Sequence, residues 1–385
     1  MKFLHTADWH IGKKLHDRDL YEEQEYILNE LVKQIDEYEP DFLIIAGDLY
    51  DKSVPSKEAI ELLQKFLIKI NIEKKLPIFA ISGNHDNRER LRVGEAWFSR
   101  HNFYLHTTLE QSFNKISFND ADIYLLPYFE PYEAREYFED NTLTSHHLAT
   151  KKVVDKIYEN LDKNKINILV THTFVAGSEN STSDSEREIS IASSSVGNIS
   201  VGTVENVALD VFEKFDYVAL GHLHNPNACS NERIKYSGSP LAYSFSEANQ
   251  KKGTRLIEIT KDTFVEKFLP LIPSRKLHNI VASYDEVTSK EFQNQFDTTN
   301  DFFSMELRGL EQITDPMPRL QEFYPNLLVL KAKEKKNNLA VEKFEKVLLK
   351  NPSELISNFY TEQQGEKLSD EQRKIVEKLI GEVIE

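Results

Sequence analysis

Four short apolar runs, each leading directly into residues of the kind that bind metal, constrain this chain more than any other feature. They occupy residues 42–46, 78–82, 168–171 and 217–220. All are rich in β-branched and aromatic residues and lack polar alternation, the pattern of strands buried on both faces. The blocks that follow them are Gly47-Asp48-Leu49-Tyr50-Asp51, Gly83-Asn84-His85-Asp86, His172 and Gly221-His222-Leu223-His224, and Asp8-Trp9-His10 stands near the start of the chain. Side chains at the carboxyl ends of strands occupy the place where α/β sheets build their sites. Asp8 and His10 are two apart, so an extended chain points both to one side. The same spacing holds for His222 and His224, although a loop can send them to different ions. Between strands the pattern turns helical: Pro55 opens a segment with Ile60, Leu63, Leu67 and Ile70 on one stripe.

Seven of these side chains form a metal-ligand set: Asp8, His10, Asp48, Asn84, His172, His222 and His224. Carboxylate, imidazole and one amide together suit a borderline dication such as Mn²⁺, Fe²⁺ or Zn²⁺, and the absence of thiolates argues against a structural zinc cage. An isolated Asp or His in a loop is usually structural; an ordered series of five blocks is not. His101, His146 and His147 fall outside the series and read as surface residues.

In this order the blocks resemble the calcineurin-like metallophosphoesterase superfamily. The finer wording is similar to its SbcD family of nuclease subunits, at Asp8-Trp9-His10-Ile11-Gly12, Ser183-Asp184-Ser185-Glu186-Arg187 and Tyr236-Ser237-Gly238-Ser239-Pro240-Leu241. The resemblance implies a two-sheet αββα sandwich. It also implies one metal on Asp8, His10, Asp48 and His224, and a second on Asp48, Asn84, His172 and His222, with Asp48 bridging. A shared carboxylate can hold two dications about 3.5–4 Å apart, and a bridging hydroxide could then attack phosphorus in line. His85 takes the transition-state role in the family pattern, as a general acid aimed at the leaving oxygen. Asp86 would orient His85 by accepting a hydrogen bond. Asp51 would orient a ligand or the metal-bound water.

At 385 residues the chain exceeds one ordinary core, and two domains plus a tail are expected. The boundaries read as 1–271 for the metallophosphoesterase domain, 277–332 for a small α+β cap, and 339–385 for a helical tail. Pro270 and Pro273 mark the first linker, and lysines at 331–336 with Asn337-Asn338 the second. The cap alternates strand and helix signals at 278–284, 289–296, 302–308, 317–324 and 327–331. A lone cysteine, Cys229, excludes an intrachain disulfide framework. Met1 runs straight into the first strand, and no apolar stretch reaches the length of a membrane span, so a cytoplasmic protein is expected.

The net charge of −16 argues against strong DNA binding by the chain alone, because Lys/Arg neutralisation of phosphates supplies most non-specific affinity. Four metal charges would offset part of the acidic excess. Lys13, Lys14, Arg88, Arg90 and Arg92 gather beside the blocks as candidate phosphate contacts. In the tail, Ile375, Val376, Leu379, Ile380, Val383 and Ile384 form an apolar stripe that must be buried somewhere. The resemblance implies that it docks on an SbcC-like coiled-coil ATPase. No nucleotide-binding motif is present, so ATP belongs to that partner.

The motifs alone license phosphoester hydrolysis; the resemblance implies an Mn²⁺-dependent DNA nuclease of repair, replication and recombination, a 3′→5′ exonuclease and a structure-directed, hairpin-opening endonuclease, acting with the ATPase and as a homodimer. The alternative is a small-molecule or protein phosphoesterase of the same superfamily, against which the cap and tail count. A non-enzymatic scaffold would be expected to have lost ligands that are all present here. Asn87-Arg88 after the third block and Asn225-Pro226-Asn227 after the last depart from the usual family wording and border the cleft.

Overall fold

A computed structural model describes residues 1–175, 206–310, 313–333, 360, 368–369 and 372–376. The four apolar runs are strands, Phe42–Ala46 (β4), Ile78–Ile81 (β5), Ile166–His172 (β9) and Tyr217–Gly221 (β10), and every residue in them is buried. Each strand lies inside a sheet covered on both sides. In β4, Phe42, Ile44 and Ala46 face the opposite sheet, while Leu43 and Ile45 face the helix layer. In β10, Tyr217 and Ala219 enter the same seam, and Val218 and Leu220 point outward to the other helix layer. The period of two is intact; both faces are simply apolar.

Two sheets form the body. The first runs Phe264–Pro270 (β13), Gly253–Ile259 (β12), Lys2–Thr6 (β1), β4, β5 and Phe103–His106 (β6). From β1 to β6 its strands are parallel, and β12 and β13 are antiparallel additions at one edge. The second runs Ile234–Tyr236 (β11), β10, β9, Ala121–Leu126 (β8) and Ile116–Phe118 (β7), parallel except for β7. Helices Tyr21–Tyr38 (α1) and Lys57–Leu67 (α2) cover the first sheet with Leu28, Leu31, Leu63 and Phe66. Helix His146–Tyr158 (α3) covers the second with Val153, Val154 and Ile157. The architecture is an αββα sandwich.

The stripe of α2 is offset from the sequence expectation. Ser56, not Pro55, begins the helix: its hydroxyl accepts from the Ala59 N–H as an N-cap. The buried positions are Ala59, Leu62, Leu63 and Phe66, with Ile70 just beyond the helix, so that of the expected stripe Leu63 and Ile70 are buried while Ile60 and Leu67 lie at the margin.

His5 of β1 joins the two sheets across the seam. Its Nε2 lies 3.2 Å from the Leu220 carbonyl oxygen and its Nδ1 lies 2.9 Å from the Tyr217 hydroxyl. A carbonyl can only accept, so Nε2 carries the proton and Nδ1 accepts from Tyr217. Burial, assisted by Arg255, lowers this imidazole to about 3. The folded group thus binds fewer protons than the unfolded one below pH 6.5, so stability falls as pH drops from about 6.5 towards 3. At 1.36 kcal/mol per unit the full effect is on the order of 5 kcal/mol. His5→Phe should flatten that part of a pH-dependent urea unfolding curve; an unchanged slope would show that His5 does not carry it.

A third sheet is separate. Leu277–Ser283 (β14), Phe302–Arg308 (β15) and Leu327–Ala332 (β16) are parallel, joined by short helices at Tyr284–Thr288, Lys290–Gln293 and Pro316–Gln321. Its own core holds Val287, Phe303, Met305, Leu307 and Tyr324. Phe302, Leu277 and Leu328 pack back against the first sheet's helix-side core. Of the tail stripe, only Ile375 and Val376 are described; Ile375 is 58% exposed. Leu379, Ile380, Val383 and Ile384, with the Ser/Thr-rich segment 177–203, lie outside the described residues. Among the described residues no helix is long and apolar enough to cross a membrane.

Candidate metal centre

All seven donor side chains converge where the strand ends of the two sheets face each other. Asp8 and His10 follow β1, Asp48 follows β4 and Asn84 follows β5; His172 ends β9, and His222 and His224 follow β10. Extended backbone is not what brings Asp8 and His10 together. Both adopt left-handed conformations, with φ of 53° and 42°, as do Asp48 at 52° and His222 at 99°. Non-glycine residues rarely occupy this region, and such strain persists where surrounding structure enforces it. Here the β1–β4 pairing continues past the strands, through Asp8 N–H to Gly47 O at 3.1 Å and His10 N–H to Asp48 O at 2.9 Å. The amide of Gln24 adds a donor to the His10 carbonyl at 2.7 Å.

Close approach explains the glycines before the ligands. A Cβ on Gly83 would lie 2.1 Å from Asp48 Oδ1, and one on Gly221 would lie 1.8 Å from the Ala46 carbonyl oxygen. No side chain fits at either position without parting the loops that carry the ligands.

The Asp48 carboxylate is central. Its Oδ2 lies 3.5 Å from His10 Nε2 and 3.3 Å from His172 Nε2. On one side, His10 Nε2 approaches His224 Nε2 at 3.0 Å, and Asp8 joins them. On the other, Asn84 Oδ1 lies 2.9 Å from His172 Nε2 and 3.2 Å from His222 Nδ1. His222 and His224 therefore serve opposite halves. His172 gives its Nδ1 proton to the Ala46 carbonyl at 2.8 Å, and His224 gives its own to Glu247 Oε1 at 3.0 Å. Both rings thus commit Nδ1 to an acceptor and turn Nε2 toward the centre, the usual device for orienting a metal-binding imidazole.

The donor chemistry fits divalent cations. Asp8 Oδ2 is buried with no hydrogen-bond partner among the described residues. Leaving such an oxygen unsatisfied is costly, and a cation supplies what it lacks. Burial raises the Asp8 carboxyl to about 6 despite His172 and His224. Burial also opposes charge on His172, but Asp48 and then Asp8 outweigh it and raise that imidazole to about 9. Asp48 is held well below the usual carboxylate range by His172 and His10, against the opposing effect of burial. Burial lowers His222 to about 3 and keeps His10 well below its ordinary value. Negative charge thus concentrates on Asp48, between neutral nitrogens at His10 and His222 able to ligate.

His85 stands at the edge of this cluster, its ring centroid 4.8 Å from that of His10. Its Nδ1 donates to the Asp51 backbone carbonyl at 3.0 Å, which leaves Nε2 for proton exchange. Asp86 does not orient His85. Its buried carboxylate accepts from the backbone N–H groups of Leu49, Tyr50 and Gly83 at 3.1, 2.9 and 3.0 Å, tying the two ligand loops together. Burial and the charge of Asp48 push this carboxyl up to about 6. The Asp51 carboxylate pairs with Lys13 at 2.8 Å and lies 3.7 Å from His10 Nδ1, too far for a hydrogen bond.

The other candidate phosphate contacts are placed as follows. Lys14 pairs with Asp19 at 3.0 Å, Arg88 with Glu133 at 2.5 Å and Arg92 with Glu95 at 3.5 Å, while Arg90 is exposed. Among the remaining histidines, His101 is exposed. His146 is not a surface residue; it is buried near the Tyr128 ring, and His147 Nδ1 accepts from Ala208 N–H at 3.3 Å. Three supports of the site lie outside every sequence block: Gln24, Tyr243, whose hydroxyl donates to the Trp9 carbonyl, and Glu247. The only trace of Glu247 in the sequence is an acid in the otherwise uncharged stretch 240–250.

This fold and donor set define a metal-dependent phosphoesterase. Residues 1–226 match the calcineurin-like phosphoesterase family, and residues 273–364 match the SbcD C-terminal family, described as type 5 capsule protein repressor C-terminal domain. The chain is 39% identical over 391 residues to the SbcD subunit of the nuclease SbcCD from Staphylococcus epidermidis, covering 100% of this chain and 99% of that one. Solved structures with similarity include TT1561 of Thermus thermophilus, at 13% identity and a TM-score of 0.39, covering 69% of this chain and 98% of that one. A dimetal phosphatase from Danio rerio matches at 12% identity and a TM-score of 0.42, covering 71% and 99%. The chain belongs to the SbcD family of calcineurin-like phosphoesterases.

Proposed function

We propose that this chain is a metal-dependent DNA nuclease that works with two divalent ions, Mn²⁺ first among them, as a 3′→5′ exonuclease and hairpin-opening endonuclease. The observation that carries this reading is the position of Asp48 Oδ2, within 3.5 Å of ligand nitrogens from both halves of the site. Asp8, His10 and His224 would hold one ion with Asp48; Asn84, His172 and His222 would hold the other with it. When bound, such ions lower the pKa of water and neutralise charge on the phosphoryl oxygens. His85, steadied by the Asp51 carbonyl, delivers a proton to the leaving oxygen. Asp86 keeps the loops of Asp48 and Asn84 in register. Lys13 and Arg90 approach the phosphate backbone, and Asp51 balances Lys13 until substrate arrives.

On this reading the chain divides into a nuclease domain at 1–271, a DNA-side cap at 277–332 and a partner-binding tail at 339–385. With a net charge of −16, the chain relies for DNA grip on an SbcC-like ATPase and on a second copy of itself. For the second copy, Val93, which caps the short helix Arg88–Arg92, and Trp97, in the next short helix Glu95–Phe98, are each 74% exposed. Trp97→Glu should shift the sedimenting species from dimer to monomer; a persistent dimer would place self-association elsewhere.

The reading is tested with blunt duplex DNA labelled at either 3′ or 5′ ends, Mn²⁺, and the ATPase with and without ATP. Progressive loss from 3′ ends, stimulated by the ATPase for the full chain but not once residues 339–385 are deleted, is the expected result. Degradation from 5′ ends would refute the polarity, and stimulation of the truncated chain would refute the tail assignment.

A further inference from the structure

Glu247 and Lys252 belong to none of the ligand blocks, yet they meet His224 from two sides. Glu247 is fully buried, and its Oε1 accepts the Nδ1 proton of His224 at 3.0 Å. Its Oε2 accepts from Lys252 Nζ at 2.6 Å and from the Tyr243 backbone N–H at 3.3 Å. Lys252 is buried as well. Its Nζ also reaches the His224 carbonyl oxygen at 2.9 Å, Ser239 Oγ at 3.0 Å and Gln250 Oε1 at 2.9 Å. With Glu247 Oε2 these make four acceptors for the three N–H donors of an ammonium, so its capacity is fully used. One buried ion pair therefore grips His224 by its ring and by its backbone.

We propose that Glu247 and Lys252 are positioning residues that fix the tautomer and aim of His224 toward one metal ion. An imidazole held only by its χ angles can rotate and exchange tautomers. A carboxylate on Nδ1 commits the proton there and presents Nε2, which here stands 3.0 Å from Nε2 of His10. A buried carboxylate without a counter-charge is strongly destabilising. Lys252 supplies that charge, so the ring of His224 is left to act as a ligand. The same lysine ties the His224 carbonyl to the loop that leads into β12, so the His222–His224 turn is braced by the first sheet. His172 has only a backbone carbonyl in the corresponding position, so the two halves of the site are supported by different means.

The inference rests on the two-metal reading above, and the experiment separates the two. Mn²⁺ binding to the full chain is measured by titration calorimetry and by electron paramagnetic resonance of the free ion, with thermal melting of each metal-free protein. Wild type should bind two ions. Glu247→Ala and Lys252→Met should each keep one ion at wild-type affinity and bind the other about 10–100-fold more weakly, the usual range for loss of an outer hydrogen-bond partner. Glu247→Gln keeps an acceptor oxygen for the Nδ1 proton and should weaken it less. Should the alanine variant fail to fold, the glutamine variant and Lys252→Met carry the comparison. Two ions at unchanged affinity in the folded variants, or equal weakening of both, would overturn the positioning role and leave the two-metal reading intact. A wild-type chain that binds no Mn²⁺ would overturn both.

Discussion

Asp48→Asn is expected to empty the metal centre while leaving the sandwich folded. The substitution preserves shape but removes the one negative charge shared by the two halves of the site. Asp48 Oδ2 lies between His10 Nε2 and His172 Nε2, and Oδ1 accepts the His85 backbone N–H at 2.9 Å. A neutral amide offers one weak donor oxygen where two charged ones stood, so both ions lose a ligand together. The loss should exceed the roughly 10–100-fold that removal of an outer-sphere partner costs. Strand cleavage should fall with it. The metal-free protein should retain its far-UV circular dichroism, because Asp48 contributes little to the hydrophobic layers. Mn²⁺ stoichiometry equal to wild type would refute the bridging role.

His85→Gln should behave in the opposite way, keeping its metal and losing its chemistry. His85 holds the Asp51 carbonyl through Nδ1 and touches the ligand set only through ring contact with His10 and its own backbone N–H. Glutamine can replace the hydrogen bond to Asp51 but cannot deliver a proton near neutral pH. General acid catalysis is worth about 10²–10⁴-fold, and kcat should drop within that range with Mn²⁺ affinity unchanged. A leaving group that needs no protonation, such as a nitrophenolate, should recover most of the loss. Loss of metal from this variant would instead make His85 structural.

Much of the site was legible because its signals are local. Strands β4, β5, β9 and β10 are apolar on both faces, and a run without alternation followed at once by Asp, Asn or His states both the strand and its end. What escaped depends on backbone turns and distant contacts. Asp86 follows His85 directly, which invites the reading that it orients that ring. The chain turns instead, so that the carboxylate reaches back to Leu49, Tyr50 and Gly83. The left-handed conformations of Asp8 and His10 replace the extended geometry that their spacing implied. α2 starts from the Ser56 cap and not from Pro55, because Pro55 resembles a helix start when only its own preference is considered. Glu247 lies 23 residues beyond His224 in the chain, and no spacing rule connects them.

The most direct measurement is cleavage of an end-labelled DNA hairpin by the purified full chain with Mn²⁺, beside an equal sample with excess chelator and a parallel assay on an aryl phosphate ester. The hairpin should be opened, chelation should stop the opening, and restored Mn²⁺ should recover it. Hydrolysis of the aryl ester with no DNA cleavage, even when the ATPase and ATP are present, would contradict the nuclease reading and assign the site to a phosphatase.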